Sequence, residues 1–329
     1  MSKLQDLTIS RRKFSRLLAA APMAGTSAFA QTSDKYPTKA VRIVVPFAAG
    51  GGVDVLARTV GQKLSEQLGA PFLIDNRPGA GTIIGTDVVA KAPADGYSIL
   101  MAVSTHVTNS FLYQKLPYDP FNDFRTICTL AKPPITLYAN AELGLKNISD
   151  LINYQKKEKK PVNYGTGGVG TLSHLGAEEF SALSGLPLEH VIYKGGTPAL
   201  SDTMAGHVPL FFGTVTIGQA AWKVGKVVAL GVMADKRQSA MPNVPTFKEQ
   251  GLNISVSDWY GLLAPKRVPD EVIAILNSKI DGIMNLPDVQ ERLAGIGIAK
   301  SSPQEMQQML VSESERWGRL IKKLGLKAS

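Results

Sequence analysis

Two stretches of the chain carry the same alternation of apolar runs and helix-period patterns. Val41–Phe47 is a β-branched run, which predicts a buried strand. Ala48-Ala49-Gly50-Gly51-Gly52 follows. Val53, Leu56, Val60, Leu64 and Leu68 then recur at helical spacing, so a helix over 53–68 has one apolar face, and Gly69 stops it. Phe72–Asp75 reads as the next strand and runs into Asn76-Arg77-Pro78-Gly79-Ala80-Gly81. A helix over Thr82–Ala90 and a strand over Tyr97–Val103 come next, the latter closing on Ser104-Thr105-His106. The pattern returns with a strand at Val162–Tyr164, the run Gly165-Thr166-Gly167-Gly168-Val169-Gly170-Thr171, and a helix over Leu172–Leu183 ended by Gly185. The strand His190–Lys194 then meets Gly195-Gly196. Both copies are βαβ units, which predict parallel sheet with right-handed crossovers.

Val208–Phe212 and Val227–Met233 are further strand candidates. Ile135–Ala139 and Trp259–Ala264 are apolar strands placed where the chain would cross between two domains. From Pro269 onward the pattern is of surface helices, Asp270–Met284, Pro287–Ala294 and Pro303–Leu324. A proline stands at or near each start, where its missing N–H costs little. The architecture expected is two α/β domains, with these helices returning to the first.

Composition agrees: 329 residues suffice for two domains, and 44% apolar with 19% charged residues is a globular balance. One cysteine, Cys128, excludes an intramolecular disulfide and leaves no Cys-based metal site; its apolar surroundings suggest a buried, inert thiol. The net charge of +9 is partly a matter of the first thirty residues. Arg11-Arg12, a short apolar run from Leu17 and Ala28-Phe29-Ala30 have the order of a twin-arginine-type signal peptide over residues 1–30, cleaved after Ala30. Its removal leaves 31 basic and 26 acidic residues. No basic run is interleaved with aromatics, so a nucleic-acid partner is not expected, and no later apolar run approaches a membrane span.

In both copies glycines lie between a strand's carboxyl end and a helix's amino end. Free N–H groups and the helix dipole make such a point suited to an anion, and missing Cβ atoms admit a ligand close to the backbone. Ligands of open α/β sheets bind at these strand ends. Hydroxyls at Ser104, Thr105, Thr166 and Thr171 could add donors, which favours a small carboxylate held between two domains. Gly165-x-Gly167-x-x-Gly170 also matches a dinucleotide fingerprint, but Glu189 precedes its predicted strand and the strand end carries Tyr193 and Lys194 rather than an acid. An exported oxidoreductase binding a nucleotide there is the alternative; a sensory adaptor sharing the same cleft is a third reading. No nucleophile elbow, Walker loop or metal-spaced histidine pair occurs, so neither an enzyme nor a cofactor is expected. His174 is expected to bond a neighbouring loop.

These residues resemble the Bug family of periplasmic solute receptors, which serve tripartite tricarboxylate transporters. The matching motifs run in order along nearly the whole mature chain: Pro46-Phe47-Ala48-Ala49-Gly50-Gly51 through Asp54 and Arg58, Asn76–Gly81, Ala94–Tyr97, Asn163-Tyr164-Gly165, Gly170-Thr171 with His174, Tyr193-Lys194-Gly195, Pro242–Thr246 and Trp259–Pro265. The resemblance implies an α/β, two-lobed type II periplasmic-binding-protein (Venus flytrap) fold with two crossover strands. Domain 1 would comprise 31–132 and 257–329, and domain 2 residues 133–256. It implies carboxylate contacts from Phe47, Ala48, Gly50, Gly51, Thr105, Thr166, Gly168, Val169, Gly170 and Thr171; Ser104, Tyr193 and Lys194, at neighbouring strand ends, complete the expected ligand site. It further implies a monomer in the periplasm that delivers its ligand to membrane subunits of the transporter or to a sensor domain. Asp54 is expected to be structural, paired with Arg58 one helical turn on. Family members often carry an aspartate where Phe212-Gly213-Thr214 stands, and its absence makes an amino-acid ligand less expected.

Overall fold

A computed structural model of the chain describes residues 36–328; the expected signal peptide lies outside them. The first sheet contains β1 (Val41–Val45), β2 (Phe72–Asn76), β3 (Ser98–Val103), β4 (Phe124–Ala131) and β10 (Tyr260–Pro265), in the order β2-β1-β3-β10-β4. The second contains β5 (Ile135–Asn140), β6 (Val162–Thr166), β7 (Leu188–Ile192), β8 (Leu210–Thr214) and β9 (Val227–Val232), in the order β7-β6-β8-β5-β9. Each sheet is parallel except for one antiparallel strand: β10 runs against β3 and β4, and β5 against β8 and β9. The two expected βαβ units are present, with β1 parallel to β2 and β6 parallel to β7.

The helices are α1 (Gly52–Leu68), α2 (Ile83–Ala90), α3 (Thr105–Leu112), α4 (Ile148–Glu158), α5 (Leu172–Ser184), α6 (Gly196–Met204), α7 (Val215–Lys223), α8 (Asp270–Ile283), α9 (Pro287–Arg292) and α10 (Pro303–Leu324). Both faces of each sheet are covered, which explains why the strands read as unbroken apolar runs. Val41, Ile43 and Val45 of β1 enter one core while Val44 enters the opposite one. Leu210 and Phe212 of β8 likewise part from Phe211. On α8 alone Val272, Ile273, Leu276, Ile280 and Ile283 are buried, each worth roughly 1.5–3 kcal/mol of transfer free energy.

Three expectations shift. The second strand of the second βαβ unit is Leu188–Ile192, two residues earlier than expected, so Glu189 lies inside it and Tyr193 and Lys194 lie beyond its end. The strands at 135–140 and 260–265 do not themselves cross between lobes; each is built into one sheet, and the short segments 132–134 and 254–259 make the passage. Those segments run together: Ile135 N–H donates to Val256 O (2.9 Å) and Asp258 N–H to Pro133 O (2.9 Å). The last helix, α10, also does not return wholly to the first lobe. Met306 and Leu310 pack in a first-lobe core, whereas Trp317 and Ile321 pack in a second-lobe core. A capping box between Ser302 and Glu305 starts this helix.

Candidate functional site

The first strand-to-helix loop is laced together from beneath by Asp54, which is buried on the first turn of α1. Its Oδ2 accepts from Gly50 N–H (2.9 Å) and Arg58 Nε (2.9 Å), and its Oδ1 from Asn76 Nδ2 (2.9 Å). Asn76 Nδ2 also donates to Phe47 O (3.1 Å). Burial pushes this carboxyl up, but the bonds from Arg58, Gly50 and Asn76 outweigh it and hold it below the ordinary aspartate value. Ala48 and Gly50 are exposed and Phe47 and Gly51 half-buried. A Cβ at Gly50 or Gly51 would meet nothing within 4 Å, so packing does not demand glycine at Gly51. The loop leaves open space beside the amino end of α1.

The glycine-rich loop of the second lobe is pinned just as firmly. Thr171 caps α5: its Oγ1 accepts from His174 N–H (3.3 Å) and donates to Gly168 O (2.9 Å). Gly170 N–H donates to His174 Nδ1 (3.1 Å). His174 stacks on His190 with ring centres 4.1 Å apart, and His190 Nε2 is 2.7 Å from Thr166 Oγ1. Burial, together with its neighbour His190, lowers His174 to about 3, and burial lowers His190 to about 4. Both rings are therefore neutral near pH 7, and Gly170 N–H requires His174 Nδ1 to be an acceptor, so its proton sits on Nε2. The Thr166 and Thr171 hydroxyls are spent on the loop's own shape. Tyr193 likewise gives its proton to Asp202 (2.8 Å), and burial and Asp202 push it up to about 12. Val169 packs against the lobe's core and Lys194 is exposed.

The dinucleotide reading fails on this geometry. A Cβ at Gly167 would lie 3.2 Å from Gly196 N, so the glycine makes room for the chain's own 195–196 backbone rather than for a pyrophosphate. The strand that should end in an acid ends in Ile192. The residue after Phe212 is also explained: a Cβ at Gly213 would lie 2.1 Å from the Phe211 ring, so no carboxylate fits there.

The lobes meet loop to loop. Thr108 Oγ1 on α3 donates to Gly170 O (2.9 Å), and Gly52 at the start of α1 faces Thr216 on α7, with 3.6 Å between a Cβ there and Thr216 Cγ2. The amino ends of α1, α3, α5, α6 and α7 thus converge on one interlobe region, where their dipoles favour negative charge. Among the described residues, the buried hydroxyl of Thr216 has no hydrogen-bond partner, and those of Ser104 and Thr214 make no bond of good geometry although Ser104 lies beside the Asp258 carboxyl and Thr214 beside the Tyr260 hydroxyl. All three lie at strand-to-helix junctions of this region. Thr214 and Thr216 escaped the sequence reading because their junction contains no glycine run. Asp258 also escaped it; its Oδ1 accepts from Trp259 N–H (2.8 Å) and Ser104 N–H (3.4 Å), and burial raises its carboxyl above the ordinary value. His106 bonds Pro120 O (2.9 Å) within an aromatic cluster, and burial lowers it to about 4. Cys128 is buried, which raises its thiol. Among the described residues no His, Cys, Asp or Glu cluster is arranged for a metal ion, and no helix is long and apolar enough to cross a membrane.

The family model described as the tripartite tricarboxylate transporter family receptor matches residues 56–326. Three solved structures resemble the chain along most of its length. R. palustris Rpa4515 with adipate is 32% identical, with a TM-score of 0.83 over 89% of this chain and 99% of that one. The periplasmic binding protein BugD is 32% identical, with a TM-score of 0.81 over 89% and 100%. MatC from Rhodopseudomonas palustris with bound malate is 30% identical, with a TM-score of 0.79 over 87% and 100%.

Proposed function

Because the chain belongs to the tripartite tricarboxylate transporter receptor family, we propose that it captures a small organic carboxylate between its lobes and delivers it to the transporter's membrane subunits or to a sensor domain. The observation that carries this is the convergence of helix amino ends on a region holding the hydroxyls of Ser104, Thr214 and Thr216, of which that of Thr216 is without a partner. Adipate in one structural relative and malate in another support a dicarboxylate as the ligand class. One carboxylate is held by the N–H groups of Phe47, Ala48, Gly51 and Val169 together with Ser104 and Thr105, while Gly50, Gly168 and Gly170 shape the two loops, their N–H groups being donated to Asp54, Thr166 and His174. The far end meets Thr214 and Thr216. Thr166, Thr171 and Tyr193 act by shaping the loop, since their protons are already donated within the second lobe, and Lys194 lies at the rim. The lobe boundaries fall at 132/133 and 256/257. The receptor works in the periplasm, exported through residues 1–30 and cleaved after Ala30.

The test is a thermal-shift and calorimetric panel on residues 31–329, with malate, adipate, citrate, amino acids and nicotinamide nucleotides. A ligand at one hundred times its Kd stabilises the folded state by about 2.7 kcal/mol, a readily measured rise in Tm. A dose-dependent rise with dicarboxylates is expected. A rise with nucleotides and none with any carboxylate would overturn the reading.

A further inference from the structure

Thr82 stands out in the first lobe because its backbone is in a place threonine avoids. Its φ is +82° and its ψ −8°, in a left-handed turn that also includes Ala80 (φ 45°) and Gly81 (φ 57°). A β-branched residue at such a φ is a true outlier, and such strain persists only where the surroundings impose it. Here every polar group of Thr82 is engaged. Its N–H donates to Gly79 O (3.1 Å), its carbonyl accepts from Thr86 Oγ1 (3.0 Å), and its hydroxyl lies 2.9 Å from Thr105 Oγ1 and 3.5 Å from Asn109 Nδ2.

These contacts orient the first member of the hydroxyl chain. Asn109 Nδ2 also lies 2.8 Å from Gly81 O, a carbonyl that can only accept, so the amide's NH2 end must face this turn. The NH2 group then donates to Thr82 Oγ1. Two directions are open to the Thr82–Thr105 pair, and in one of them Thr82 donates to Thr105 Oγ1. In that direction the proton of Thr105 itself is left over, to be given to an acceptor at the amino end of α3. We propose that Thr82 is a positioning residue for ligand capture: Asn109 and Thr82 hold Thr105 as a hydrogen-bond donor, which matches an ionised carboxylate. The strained backbone of residue 82 is the cost of bringing its hydroxyl to Thr105. This rests on the carboxylate-receptor reading above.

The experiment titrates adipate and malate into the wild-type protein and into Thr82→Ala, Thr82→Ser and Thr82→Gly, alongside ligand-free melting curves. Loss of one orienting hydrogen bond is expected to weaken binding about three- to tenfold in Thr82→Ala, while Thr82→Ser keeps wild-type affinity. Thr82→Gly relieves the strain, so it is expected to melt higher than wild type without ligand and yet bind as weakly as Thr82→Ala. Stability and affinity moving in opposite directions is an outcome that a purely structural role does not give. Wild-type affinity in Thr82→Gly and Thr82→Ala, or a Thr82→Ser variant as weak as Thr82→Ala, would overturn the assignment while leaving the receptor reading intact. Failure of the wild-type protein to bind any carboxylate would overturn both.

Discussion

His174 and His190 show how single residues beneath the glycine-rich loop fix its form. One supplies the acceptor for Gly170 N–H and the other meets Thr166, and their stacked rings are both neutral. Their folded values, about 3 and about 4, lie below the ordinary histidine value near 6.5. As pH falls through 6.5 the unfolded chain takes up protons that the folded chain refuses, so stability declines between about pH 6.5 and 4 and is constant above 7 with respect to these groups. Each such histidine contributes up to about 1.4 kcal/mol per pH unit in that window. Melting curves from pH 7.5 to 4.5 at constant ionic strength are expected to fall accordingly, and less steeply in His190→Gln. A level profile down to pH 5 would show that these rings are protonated in the folded protein.

At the scale of elements, the loops between strands and helices divide into those whose glycines serve the fold and those that leave space. Gly170 has φ +76°, and a Cβ there would lie 2.0 Å from Leu112 Cδ1 on α3 of the facing lobe. The Thr108 hydroxyl reaches the same residue's carbonyl. Gly170→Ala therefore places a methyl between the lobes as well as straining the turn. It is expected to weaken carboxylate binding by at least tenfold, with a loss of folding stability on the order of 1–2 kcal/mol. Calorimetry against a urea unfolding curve separates the two effects. Equal binding by this variant would show that the two loops part when ligand is held.

The whole molecule is joined by two short crossings and by α10, which lies across both lobes. Arg316 of α10 donates to Glu179 Oε2 (3.0 Å) and to Ser255 O (3.0 Å), both in the second lobe. The guanidinium is partly exposed, so removing it costs the fold little, about 1 kcal/mol or less. Its larger effect is expected on the balance between open and closed lobes. Arg316→Ala should have a larger radius of gyration than wild type by small-angle scattering without ligand, and the wild-type value at saturating carboxylate. An unchanged ligand-free value would assign the closed arrangement to the crossings and loop contacts alone.

The sequence by itself determined most of the layered fold. Runs such as Val41–Val45 are buried on both sheet faces and therefore read as unbroken apolar stretches. Helix starts and stops at Gly69, Gly185 and Pro303 are local chemistry, and the two glycine loops announced themselves. Helices α3, α6 and α7 were not legible, since segments such as Thr105–Leu112 have poor intrinsic propensity and are helical because packing makes them so. Only the tertiary structure could decide which polar groups are spent and which are free. Thr166 and Thr171 looked like ligand donors in the sequence, yet their partners sit two to twenty-four residues away within the second lobe. Thr214, Thr216 and Thr82 carried no motif, and their significance comes from junctions and neighbours far apart in the chain. A hydroxyl's availability depends on what surrounds it in space, and local pattern does not encode that.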